Sequence, residues 1–85
     1  MALDMNNLHN RIALFRAEAG MSRKDLAEAV NVNPQTIGYL ERGDYKPSLE
    51  LGMKIAAVFG VTIEILFSFT PFESVANALR RSGEN

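Results

Sequence analysis

The sequence predicts an all-α domain of five compact helices followed by a further C-terminal helix. Three observations carry that expectation. Apolar residues recur at spacings of three and four, Gly and Pro punctuate the chain at short intervals, and no segment shows the strict two-residue alternation of a half-buried strand. The 85 residues make one domain, near the lower end of what folds without covalent or metal staples.

The first helix is expected from about Leu8 to Ala19, with Leu8, Ile12, Phe15 and Ala19 on one face and Gly20 as its stop. Ser22 caps a second helix over about 23–30, and Asp25 three residues on makes a relative of the capping box. Leu26, Ala27 and Val30 form its inner face, and Asn31 suits a left-handed cap. After Val32, Asn33 is an N-cap and Pro34 stands at the first helical position, where a missing N–H costs nothing. That third helix spans about 34–41, anchored by Ile37 and Leu40. Ser48 caps a fourth, Leu49 to Phe59, with Leu49, Gly52 or Met53, Ile55, Ala56 and Phe59 inward; Met21 and Met53 read as core filler. A fifth follows from Ile63 to about Phe67. Thr70, Pro71 and Glu73 supply the start signals of a sixth over about 71–81, whose inner face would carry Phe72, Val75, Ala76 and Leu79.

Composition narrows the function. There is no Cys, so disulfides and thiolate metal sites are excluded, and the single His9 cannot hold a structural metal that needs about four ligands. Catalytic triads find no partner set and no glycine-rich phosphate loop occurs, so an enzyme is not expected, nor any cofactor. The start MALDMNNLHNR lacks a basic segment followed by an apolar run, and no apolar stretch approaches the ~20 residues that cross a bilayer. The expectation is a cytoplasmic protein with no membrane partner. Nine basic and ten acidic residues give a net charge of -1, so any nucleic-acid function must rest on local placement.

Helices two and three are separated only by Asn31-Val32-Asn33, which forces the sharp crossing of a helix-turn-helix. Val32 can plug the core beneath that turn, and Ala27 is small where the two backbones approach. Pro34, Gln35, Gly38 and Tyr39 then face outward, flanked by Thr36 and Arg42. Gln can bond an adenine edge bidentately, and a helix fits the ~12 Å major groove. Gly38 costs about 1 kcal/mol relative to Ala inside a helix, which close approach to a base or phosphate would explain, as would packing of another helix. Tyr39 is either an exposed reader or a partly buried support, and Tyr45 either bonds a phosphate or packs on its loop.

The blocks RxxxGMSRKDLAEAVNV, QTIGYLERG, KPSLELGMKIAAVFGV and TIEILF, in that order over residues 11–67, resemble the Cro/C1-type (Xre) helix-turn-helix family, most closely its short, stand-alone bacterial regulators. The resemblance implies a lambda-repressor-like DNA-binding domain over 8–67, with 68–85 as a C-terminal extension, acting as a sequence-specific regulator of double-stranded DNA, a repressor in the first instance. It places Gln35 and Tyr39 at base-reading positions and Arg23 and Thr36 at phosphates; the outward face adds Pro34 and Gly38 as candidate base readers, and local charge and position add Ser22, Lys24, Asn33, Arg42, Tyr45 and Lys46 as candidate phosphate binders. Arg16 and Glu41 match a structural ion pair of the family. Three positions depart from the family pattern: Arg23 replaces a usual glutamine, Pro34 a polar residue, and Asp44 a commonly basic one.

Regulators of this kind read two half-sites as dimers, so a homodimer is expected. Ile65, Phe67, Phe69, Phe72, Val75 and Leu79 are the candidate interface, because three Phe in six residues exceed what the small core needs; the alternative is that the sixth helix folds back. A competing reading is an antitoxin-like or accessory module that holds a protein partner and binds DNA secondarily or not at all.

Overall fold

The computed structural model describes residues 5–73. Five helices follow one another: α1 Ile12–Glu18, α2 Arg23–Val30, α3 Pro34–Arg42, α4 Leu49–Phe59 and α5 Ile63–Leu66. Two short strands, β1 His9–Asn10 and β2 Phe67–Ser68, pair antiparallel with His9 opposite Ser68 and Asn10 opposite Phe67. The domain is all-α apart from this clasp.

The clasp accounts for a late start to α1. His9 and Asn10 belong to the ladder, and the Asn10 side chain then caps the helix by accepting the Ile12 N–H at 3.0 Å. The same amide donates through Nδ2 to the Leu40 carbonyl at 2.9 Å, satisfying an acceptor near the end of α3. The expected helix from Leu8 is therefore shortened by a side chain that competes with the helical backbone. Ala19, expected inward, is exposed.

Local chemistry starts the other helices. Ser22 and Asp25 close a reciprocal capping box on α2: Ser22 Oγ accepts the Asp25 N–H at 3.0 Å, and the Asp25 carboxylate accepts the Ser22 N–H at 2.9 Å. Asn33 Oδ1 accepts the Gln35 N–H at 3.1 Å with Pro34 at the first helical position, and Ser48 Oγ accepts from Leu51 at 3.1 Å. Between α2 and α3, Asn31 adopts φ 58°, ψ 51°, a left-handed conformation that Asn tolerates better than most residues. The Val32 N–H then returns to the Ala27 carbonyl at 2.9 Å, and Val32 packs half-buried on the core.

Ile12, Leu26, Ile37, Leu40, Ile55 and Leu66 are fully buried, so every helix contributes at least one side chain to a single core. Phe15 and Phe59 stack at 5.8 Å beside it. Two expectations for α4 fail. Leu49 is 71% exposed and Met53 57%, while Gly52, Ile55 and Ala56 are buried. The reason is the Phe67 ring. It lies over Gly52, where an added Cβ would come within 3.4 Å of the ring, and so Gly52 rather than Met53 sets the inward direction. Phe67 itself leaves α5 and enters β2. Pro71, Phe72 and Glu73 are not helical, and the remainder of the expected sixth helix, with Val75, Ala76 and Leu79, lies outside the described residues.

Asp25 carries a pH dependence. Hydrogen bonds from the Ser22 backbone and hydroxyl hold its carboxyl below the ordinary value of 3.8. A depressed folded value means that this contribution to stability is present above the unfolded value and is lost as the pH falls through the folded one. Asp25→Ala is therefore expected to lower the thermal midpoint at neutral pH, with the gap to the native protein closing as the pH drops below 3.8. A gap of constant size from pH 7 to pH 2 would show that the carboxylate charge is not what the cap uses.

Candidate nucleic-acid interface

The α2–turn–α3 pair presents one outer face. Ile37 and Leu40 pin α3 to the core, which turns Pro34, Gln35 and Tyr39 outward. These three, with Gly38, Arg23 and Arg42, line one shallow depression of about 280 Å³. Three of the expected base readers, Pro34, Gln35 and Tyr39, are thus exposed beside two of the expected phosphate binders, whereas Gly38, expected outward, is buried beneath the Arg23 and Arg42 side chains.

Charge on this face is arranged by carboxylates. Glu41, its side chain 3% exposed, receives Arg16 Nε at 2.8 Å and Arg23 Nε at 2.9 Å. Arg16 also donates through Nη1 to the Met21 carbonyl at 2.9 Å, so α1, the start of α2 and the end of α3 meet at one cluster. Two guanidinium groups against one carboxylate leave the cluster net positive, and Arg23 remains half-exposed on the outer side. Arg42 pairs with Asp44 at 3.0 Å and its guanidinium stands 5.2 Å from the Tyr39 ring centre. Asp44 therefore acts on Arg42 directly, a contact that no sequence spacing announces.

The other expected phosphate binders lie outside the depression. Lys24 and Tyr45 are exposed, Thr36 is half-buried, and Lys46 donates to the Asn6 carbonyl at 3.3 Å. Ser22 and Asn33 use their side-chain oxygens as helix caps; the Ser22 hydroxyl keeps a proton to donate, but the Asp25 carboxylate stands beside it. Among the candidate interface residues, Ile65 and Phe69 are exposed. Phe67 is committed to the domain's own core over Gly52. Phe72 is half-buried with the Arg11 guanidinium 4.1 Å above its ring, and Val75 and Leu79 lie outside the described residues. Sequence reasoning missed Asn10, the Arg23–Glu41 pair and the Arg11–Phe72 contact, all of which join residues far apart in the chain. No helix among the described residues is long and apolar enough to cross a membrane.

A helix crossing of this kind, with a capped outward helix and basic side chains around an uncharged polar face, defines a helix-turn-helix protein. The model of the helix-turn-helix family matches residues 12–66, and the chain belongs to that family in its Cro/C1 (Xre) branch, whose members are DNA-binding transcription regulators. An HTH-type transcriptional regulator of Archaeoglobus fulgidus is 50% identical over 62 residues, which span 73% of this chain and 89% of that one. The structure of a candidate DNA-binding protein from Bacteroides fragilis superposes with a TM-score of 0.66 at 28% identity, over 72% of this chain and 98% of that one. The clp gene regulator ClgR of C. glutamicum superposes with a TM-score of 0.57 at 35% identity, over 61% of this chain and 68% of its own.

Proposed function

We propose that the protein is a cytoplasmic, sequence-specific transcriptional regulator that binds double-stranded DNA as a homodimer, with α3 in the major groove, and acts as a repressor. The observation that carries the reading is the division of α3. Ile37 and Leu40 are buried, whereas Pro34, Gln35 and Tyr39 stand outward around one depression rimmed by Arg23 and Arg42. The family and the names of the relatives supply the regulatory context. Repression by occupancy is the mode that a DNA-binding domain can carry out alone. Ile65 and Phe69 are the exposed residues offered for pairing two copies.

Selection of bound sequences from a random duplex pool tests this directly. The expected product is a pair of related half-sites about one helical turn apart. A pool that yields no enriched sequence would overturn the reading. Within an enriched half-site, Gln35→Ala is expected to cost ~1–3 kcal/mol at one base position and leave the others unchanged. Relative affinities for single-base variants of the site check this.

The exposed Leu49 and Met53 of α4 favour a second reading, an antitoxin-like or accessory module for a protein partner. A stable heterocomplex together with weak, salt-insensitive DNA retention would establish that role over the first.

A further inference from the structure

Gly38 has no side chain and is buried, because two guanidinium groups occupy the space above it. A Cβ at Gly38 would stand 3.3 Å from Arg42 Nη1 and 3.8 Å from Arg23 Nη1. The nearest groups are the ends of two arginine side chains, Arg42 of the same helix and Arg23 of α2, so part of the cover comes from the neighbouring helix. Each also gives its Nε to a carboxylate, Arg23 to Glu41 at 2.9 Å and Arg42 to Asp44 at 3.0 Å. The carboxylates thus hold the inner edges of the two groups and turn Nη1 of each toward the same point. Arg42 reaches that point by running back one turn toward the start of α3, the direction helical side chains favour, with Tyr39 alongside.

We infer that Arg23 and Arg42 form a single acceptor-binding site over Gly38, and that its ligand is the O6/N7 edge of a guanine in the half-site. This rests on the proposed placement of α3 in the major groove. Guanine offers two acceptors side by side there, which suits a guanidinium fork better than any other base edge. Both arginines line the same depression as Gln35 and Tyr39, so the site adjoins the base-facing residues. Arg42 and Asp44 are both more than half exposed, and exposed pairs contribute little, so exchanging Asp44 for a base edge costs little. Arg42 is in this account a specificity-determining residue.

The test compares the native protein with Arg42→Lys, which keeps the charge and loses the fork, by selection from a random duplex pool and by titration of the enriched site. The native protein is expected to prefer guanine at one position by about ten- to a hundredfold, and Arg42→Lys to lose most of that preference with the salt dependence unchanged. Replacing that guanine by 7-deazaguanine should weaken the native protein and leave Arg42→Lys unaffected. Gly38→Ala, which crowds Arg42 Nη1, should lower the preference at the same position. A native protein that enriches no sequence overturns this inference together with the proposed function. Enrichment with the same guanine preference in Arg42→Lys overturns this inference alone. So does an Arg42→Ala variant whose salt slope falls by about 1 at unchanged base preference, since that is the behaviour of a phosphate contact.

Discussion

Glu41→Gln is expected to destabilise the domain by about 3 kcal/mol, near the lower end of what breaking a buried ion pair costs. Among the described residues, Glu41 is the only carboxylate placed against both Arg16 and Arg23, and its side chain is all but removed from solvent. Arg23 is half-exposed and can turn to water, whereas Arg16 is mostly covered and would be stranded beside a neutral amide. For a domain of this size the midpoint should fall by roughly 12–24 °C. Thermal and urea unfolding of the variant measure it. Combining Glu41→Leu with Arg16→Met supplies the control: replacing both partners by apolar groups should recover much of the loss, because no charge is left buried. If the single variant melts with the native protein, the cluster contributes orientation and not stability.

Ile37→Ala is expected to cost ~2–5 kcal/mol, through lost burial and the cavity left beneath α3. Ile37 is fully buried, and with Leu40 it sets the depth and rotation of the helix that carries Gln35 and Tyr39. Tyr39→Ala, two residues along the same helix but on its outer side, should change stability within about 0.5 kcal/mol. The pair separates seating from reading: Ile37→Ala should unfold at lower urea, and Tyr39→Ala should unfold with the native protein while altering any DNA affinity. Equal losses of stability for both would mean that the ring of Tyr39 is structural despite its exposure.

What was legible in the sequence follows from the range over which each interaction acts. Ser22 with Asp25, Asn33 with Pro34, and Ser48 are helix starts written in two to four neighbouring residues, and each occurs where its chemistry demands. The rotation of α3 was legible too, since Ile37 and Leu40 are the only aliphatic side chains between Asn33 and Gly43. For α4 the same reasoning failed. LELGMKIAAVF is apolar on nearly all sides, and its inward side is marked by Phe67 and Ile63 packing against Gly52. The strands β1 and β2 are two residues each, too short to carry an alternation. The candidate site divides in the same way. Its outward polar residues could be read from one helix, but the pairing of Arg23 with Glu41 across eighteen positions could not. Nor could the crowding of two guanidinium groups over Gly38, which exists only once α2 and α3 have crossed.

Asn10 gives the domain an order of assembly. Its amide joins the start of α1 to the Leu40 carbonyl, and its backbone pairs with Phe67. A ribosome releases Asn10 early and its strand partner long afterwards, when α1 to α5 have all been made. The ladder of His9 and Asn10 with Ser68 and Phe67 can therefore form only after all five helices have been made, although the Asn10 amide can reach Leu40 before then. In the finished protein the amides of this clasp should be among the first to exchange with solvent, since the two-residue ladder can open without disturbing the buried core.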